Sequence, residues 1–289
     1  MTGLEHEPEM VKSFDGTLIA GRRIGGGDST PLLVCGSVGA GLSVWRRTLR
    51  ELPPGRPVLM WDMRGLFESS LPQGGRIDAR AHAEDAVAVL DAFEVEQVHV
   101  AAWSTGGRVA IEFATVYPER TRSLTLICAG YGHSIGHLAR LEFSALLPRM
   151  AGVARVFASP LGGAFRRLVE RPEIGGIVRQ SGMTAPSADI SAIVDLLREM
   201  ASCDTQMLLK IYGELAGDSV PGLLPDVEAP TLLITAEQDT FTSGRMVEEM
   251  HEAIPDATFV QYDDATHYLP MEYPAMLAED LGKFLVAHD

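Results

Sequence analysis

The stretch 97–108, Gln-Val-His-Val-Ala-Ala-Trp-Ser-Thr-Gly-Gly-Arg, restricts the possible folds of this chain more than any other. Val98, Val100, Ala101 and Ala102 form the short apolar run of a fully buried strand, and Val109, Ile111, Phe113, Ala114 and Tyr117 follow at helical spacing. A strand is therefore expected to run straight into a helix, with Ser104 on the turn. So sharp a turn leaves little room for side chains on its flanks, and Ala102 and Gly106 stand two residues before and two after the serine. Residues 102–106 thus have the form of a nucleophile elbow, with alanine in the first glycine position. Such a turn lifts a hydroxyl above the sheet and aims a helix N terminus at it, where an oxyanion would be stabilised. By itself the pentapeptide also fits a serine capping an ordinary helix.

A chain of 289 residues can bury a full α/β core as one domain with an insertion, or form two smaller domains. With 46% hydrophobic and 22% charged residues, and no repeat or low-complexity tract, the composition is that of a globular protein. A net charge of −15 opposes a nucleic-acid partner and an acidic membrane surface alike. Cys35, Cys128 and Cys203 are odd in number and far apart, which suits neither a disulfide framework nor a zinc site. Cys35 and Cys128 end apolar runs and are expected to be inert core thiols. The acidic start of the chain and the lack of a membrane-length apolar run point to a cytoplasmic protein.

Taken in order, residues 10–23 read as a hairpin turning at Asp15-Gly16. Strands are expected at 31–35, 57–61, 98–102 and 123–128, with helices at 46–51, 79–93 and 107–117 between them. This alternation implies parallel strands with right-handed crossovers. The glycine-rich loop 36–41 after the first of these strands lacks both G-x-G-x-x-G and Gly-Lys-Ser/Thr, so a nucleotide site is the weaker reading. Its better use is to bring the N–H of Ser37 or Val38 to a reacting carbonyl oxygen. From 133 to 222 the pattern changes to helical segments alone, around 138–150, 163–170, 190–202 and 205–215, and reads as an inserted cap. Strands resume at 230–235 and 258–262, with helices at 243–254 and from 274. The expected division is a core of 1–132 and 223–289 carrying a cap of 133–222.

Asp239 and His267 each follow the C-terminal end of a strand, the edge at which open α/β sheets bind ligands. Alone, either would be an ordinary loop residue. Together with Ser104 they stand in the order Ser, Asp, His. A serine hydroxyl becomes a good nucleophile when an imidazole takes its proton, and a carboxylate fixes the tautomer of that imidazole. Ser104, His267 and Asp239 fit those roles, with Asp263 and Asp264 as fallback acids.

In these features the chain resembles the α/β-hydrolase fold superfamily, the serine hydrolases with a helical cap, over nearly its whole length. Residues 102–106, Asp62-Met63-Arg64-Gly65, the 231–235 strand leading to Asp239, and His267 followed by Glu272 and Pro274 carry the likeness. It implies a mostly parallel twisted sheet with helices on both faces, Ser104 as nucleophile, and an oxyanion hole made by the N–H groups of Thr105 and of Ser37 or Val38. Two positions depart from the family pattern. Cys35-Gly36 stands where His-Gly is common, and Phe67 replaces the second glycine of the segment after Arg64, so Phe67 is expected to wall the pocket. A serine nucleophile resembles the esterases more than the aspartate-using dehalogenases and epoxide hydrolases of this fold.

The expected activity is hydrolysis of a carboxylic ester, lactone or thioester of an apolar, small to medium-sized substrate, without a cofactor. Carbon–carbon bond hydrolysis or perhydrolysis on the same triad is the alternative within enzymes, and a ligand receptor with little turnover is the alternative outside them. Trp103, Phe67, His133, Phe143 and Tyr268 are the candidate substrate contacts. His133 and His137 have the spacing of a metal pair but no third ligand nearby in sequence, so no metal is expected. The chain is expected to be a monomer or a homodimer.

Overall fold

The computed structural model describes residues 7–132, 162–217 and 220–289. At its centre is an eight-stranded sheet in the order β1-β2-β4-β3-β5-β6-β7-β8. The strands are β1 (Glu9–Lys12), β2 (Leu18–Ile24), β3 (Leu32–Cys35), β4 (Val58–Trp61), β5 (Val98–Trp103), β6 (Thr121–Ile127), β7 (Thr231–Ala236) and β8 (Ala257–Tyr262). Every neighbouring pair from β4 to β8 is parallel, whereas β1 and β2 join antiparallel at one edge. Gly16 makes the β1–β2 turn at φ +89°, a conformation open to glycine without steric cost.

The central strands are buried on both faces, which is why they read as continuous apolar runs. Successive residues nevertheless serve opposite cores. Leu33, Leu59, Val100, Leu124 and Leu233 meet α2 (Ala79–Ala92), α3 (Gly106–Val116) and α8 (Gly244–Ala253), through residues such as Leu90, Phe113 and Val247. Leu32, Val34, Met60, Ala101 and Ile234 meet α1 (Leu42–Glu51) and α10 (Pro274–Ala287), through Trp45, Leu49, Leu281 and Leu285. A short helix, α9 (Leu269–Glu272), precedes α10 and has too few residues to show a period.

Between β6 and β7 lie α4 (Gly162–Val169), α5 (Ile174–Gln180), α6 (Ile190–Ser202) and α7 (Thr205–Gly217), with no strand among the described residues. Helices α4 and α5 pack on α6, α6 rests on α1, and α7 touches α3. Asp189 starts α6 by accepting from the N–H groups of Ser191 and Ala192, as an N-cap carboxylate does. The expected helix at 138–150 lies outside the described residues. The sequence reading did not anticipate α5, because Gly175 and Gly176 interrupt its apolar pattern.

A buried ion network ties the hairpin to the sheet and to α2. Arg64, just after β4, is fully buried and donates to Asp85 through Nε (2.8 Å) and Nη2 (2.6 Å), and to Asp15 through Nη1 (2.9 Å). Ser13 adds a hydroxyl donor to Asp85 at 2.6 Å. Burial pushes the Asp85 carboxyl up, and the Arg64 guanidinium draws it back. Arg64→Met would leave that carboxylate buried without its cation, so urea unfolding is expected to show a loss of about 3–5 kcal/mol. The double variant Arg64→Met/Asp85→Leu should recover much of that loss.

Candidate active site

Ser104 occupies the turn between β5 and α3 at φ +57°, in the left-handed region that costs a residue with a side chain about 1–2 kcal/mol. The surroundings hold it there. Its N–H donates to the Ile127 carbonyl of the adjacent strand at 3.2 Å. A Cβ on Gly106 would lie 2.6 Å from the Cys35 carbonyl oxygen and 2.8 Å from that of Gly36, so α3 can start this close to β3 only with glycine there. Ala102, fully buried, is the other small flank.

The loops after β7 and β8 bring the second and third groups to the same edge. His267 Nε2 is 2.8 Å from Ser104 Oγ, and its Nδ1 is 3.1 and 3.0 Å from the two carboxylate oxygens of Asp239. The Asp239 side chain is fully buried, and its Oδ1 also accepts from the N–H groups of Phe241 (2.7 Å) and Thr242 (3.0 Å). Asp263 and Asp264, the fallback acids, are exposed. Three further contacts fix the histidine loop. Trp103 Nε1 donates to the His267 carbonyl at 2.8 Å, Phe241 lies 4.6 Å from the imidazole between ring centroids, and the buried Glu272 accepts from Thr266 N–H (2.7 Å) and its hydroxyl (2.6 Å). Glu272 also accepts from Ala185 N–H at 2.8 Å, joining that loop to the segment before α6.

Opposite the imidazole, loop 36–41 meets the N terminus of α3. Thr105 Oγ1 accepts from Val38 N–H at 3.1 Å and shares a hydrogen bond with the Ser37 hydroxyl at 2.8 Å. The Val38 N–H is thereby satisfied within the site. The N–H groups of Ser37 and Thr105 donate to no acceptor among the described residues.

Ser104 and His267 line an open cleft. Gly130, Phe241 and Thr242 form part of its wall, and α7 supplies Tyr212, Leu215 and Ala216. Arg108 lines it as well, its Nη1 donating to Glu112 at 2.8 Å, so the wall is not wholly apolar. Three expected contacts, Trp103, Tyr268 and Phe67, are not among those lining residues. Trp103 is buried behind the histidine, with the indole turned to the backbone of the His267 loop. Tyr268 packs edge-on against His267 and tilted against Trp103. Phe67 is half-buried and packs against the apolar cluster that α2, α3 and α7 share. At φ +50°, Phe67 also keeps the left-handed backbone that favours a glycine. His133 and Phe143, like His137, lie outside the described residues.

The sequence reading missed Phe241, Arg108 and the α7 contacts. Phe241 follows the acid by two residues, and Arg108 lies one helical turn after Ser104, so spacing carried a signal for both. Burial pushes the Cys35 and Cys128 thiols up, the Asp239 carboxylate adding to the effect at Cys128, and pushes Cys203 up to about 11. All three are therefore poor nucleophiles. No group of three His, Cys, Asp or Glu side chains is placed to hold a metal among the described residues, and no helix there is long and apolar enough to cross a membrane.

A parallel sheet with a strand–serine–helix turn and an Asp–His pair at its carboxyl edge defines a class that comparison with known proteins identifies. The family model for the alpha/beta hydrolase fold matches residues 30–167. A putative carbamate hydrolase of Azorhizobium caulinodans is 30% identical over 263 residues, 89% of this chain and 92% of that protein. A pimeloyl-[acyl-carrier protein] methyl ester esterase of Neisseria meningitidis is 28% identical over 231 residues, 79% of this chain and 68% of that protein. The enol-lactonase of Burkholderia xenovorans LB400 superposes with a TM-score of 0.75 at 18% identity, over 96% of this chain and 100% of that one. The chain belongs to the α/β-hydrolase fold family and is a hydrolase.

Two substitutions test the scaffold of the site. Gly106→Ala forces a methyl group against two carbonyl oxygens and is expected to cost about 1–3 kcal/mol in urea unfolding, as overpacking does. Trp103→Phe removes one donor from a buried carbonyl and should cost about 1–3 kcal/mol by the same measurement.

Proposed function

We propose that the protein is a serine hydrolase that cleaves a carboxylic ester, lactone or thioester through an acyl-enzyme on Ser104. The observation that carries this reading is the unbroken line from Ser104 Oγ to His267 Nε2 and from His267 Nδ1 to the Asp239 carboxylate. In this reading His267 takes the Ser104 proton as the oxygen attacks the substrate carbonyl, and Asp239 holds the imidazole in the tautomer with its proton on Nδ1. The tetrahedral oxyanion accepts from the N–H groups of Ser37 and Thr105 at the N terminus of α3. Collapse passes the proton from His267 to the leaving alcohol or thiol, leaving the acyl group on Ser104. Water, deprotonated by the same imidazole, then attacks the acyl carbonyl, and the acid departs as Ser104 regains its proton.

The helices between β6 and β7 serve in this reading as the cap, residues 133–222, over a core of 1–132 and 223–289. Tyr212, Leu215 and Ala216 on the cleft wall support that role. Carbamates offer the same carbonyl to the same attack, and the 30% identity to a putative carbamate hydrolase adds them to the substrates worth testing.

A panel of p-nitrophenyl esters of increasing chain length, with lactones, thioesters and carbamates, tests the proposal. Hydrolysis of one class is expected, with Ser104→Ala, His267→Ala and Asp239→Asn each lowering kcat by about 10³-fold or more. Wild-type rates in Ser104→Ala would exclude an acyl-enzyme on this residue.

A further inference from the structure

Loop 36–41 lies between β3 and α1 and carries the Ser37 N–H used in the proposed reaction. It has little to hold itself with. Gly39 turns at φ +74°, and Gly41, the N-cap of α1, has no side chain to satisfy the first amides of that helix. The missing acceptor arrives from α6. The half-buried Glu199 accepts from Gly41 N–H through Oε2 (2.9 Å), from Ser43 N–H through Oε1 (3.1 Å), and from the Ser43 hydroxyl through Oε2 (2.5 Å). Both carboxylate oxygens are thus spent on the end of the loop and the first turn of α1. Helix α7 closes on the same loop, since a Cβ on Gly39 would come within 2.8 Å of Leu208 Cδ1. At the other end, Thr105 Oγ1 engages Ser37 and Val38.

We propose that Glu199 is a positioning residue that fixes loop 36–41, and with it the Ser37 N–H, through its own bonds to Gly41 and Ser43. The proposal rests on the hydrolase reading for the use made of Ser37. Simple anchoring of α6 does not account for the arrangement. That task has its own contacts, because Arg47 on α1 pairs with Asp189 and donates to Ser191 Oγ (3.2 Å), and Asp189 N–H donates to the Met271 carbonyl (3.1 Å). The Glu199 side chain reaches past α1 to the loop instead. Burial raises its carboxyl above the usual carboxylate range, and the Ser43 and Gly41 donors oppose that rise.

The test compares Glu199→Gln with Arg47→Ala, which removes the separate Arg47 contacts to Asp189 and Ser191 without touching the loop. Glutamine keeps the shape but offers one acceptor oxygen, so one of the two backbone N–H groups faces another donor. Two readouts are taken on the full chain: amide hydrogen exchange of a peptide spanning 36–43, and kcat and KM on the best ester. In Glu199→Gln, exchange in 36–43 is expected to rise by about tenfold or more, as loss of a hydrogen bond to a charged group implies. Its kcat is expected to fall by about 10–100-fold with KM within about threefold, somewhat less than removal of an oxyanion donor. Arg47→Ala should leave both close to wild type. Unchanged exchange in 36–43, or a kcat loss matched by Arg47→Ala at equal Tm, would overturn the proposal. If the wild type turns over no ester, the kinetics count against the hydrolase reading, and the exchange still decides whether Glu199 holds the loop.

Discussion

The left-handed turn at Ser104 sets the terms for everything around it. A residue with a side chain resists φ +57°, so the turn persists only where its neighbours leave it no alternative. Here the Ser104 N–H is tied to β6, Gly106 lets α3 begin against the carbonyls of Cys35 and Gly36, and Ala102 leaves the flank clear. The result is a hydroxyl standing above the carboxyl edge of a parallel sheet, beside a helix N terminus. Other strands then need only end at the same edge to deliver their groups to it.

Two of them do, and each delivery depends on buried hydrogen bonds rather than on the loop alone. Asp239 is fixed by the amides of the turn it begins, and His267 by the Trp103 indole and the grip of Glu272 on Thr266. Carboxylates recur in this role. Glu272 links the histidine loop to Ala185 in the segment before α6, and Glu199 on α6 links back to the start of α1. The insertion between β6 and β7 therefore grips two of the loops that frame the cleft as well as walling it. A carboxylate suits such a task because two oxygens can collect several amides from different elements, and hydrogen bonds to a charged acceptor are stronger than neutral ones.

What was legible in the sequence was what periodicity and position encode. Strands buried on both faces showed as apolar runs, the helices as spaced apolar residues, and the order of Ser104, Asp239 and His267 anticipated their meeting at one edge. Phe67 was legible as a departure from glycine and keeps the backbone conformation of one, half-buried against the apolar cluster. Side-chain direction was harder to read. Trp103 sits next to Ser104 in sequence yet faces the back of the histidine, because residues alternate across a strand. The engagement of the Val38 N–H depends on the hydroxyl of Thr105, and the bonds made by Glu199 reach back 158 residues to Gly41. No local pattern marks a contact of that span.

The central claim is that Ser104 is a nucleophile activated by His267 and Asp239, and covalent labelling addresses it most directly. The intact mass of the folded protein would be measured after reaction with a fluorophosphonate probe, for wild type, Ser104→Ala and His267→Ala. The account predicts one adduct, mapped to Ser104, that is absent from Ser104→Ala and nearly absent from His267→Ala. An adduct that persists in Ser104→Ala, or a folded wild type that stays unlabelled while it hydrolyses esters, would contradict it.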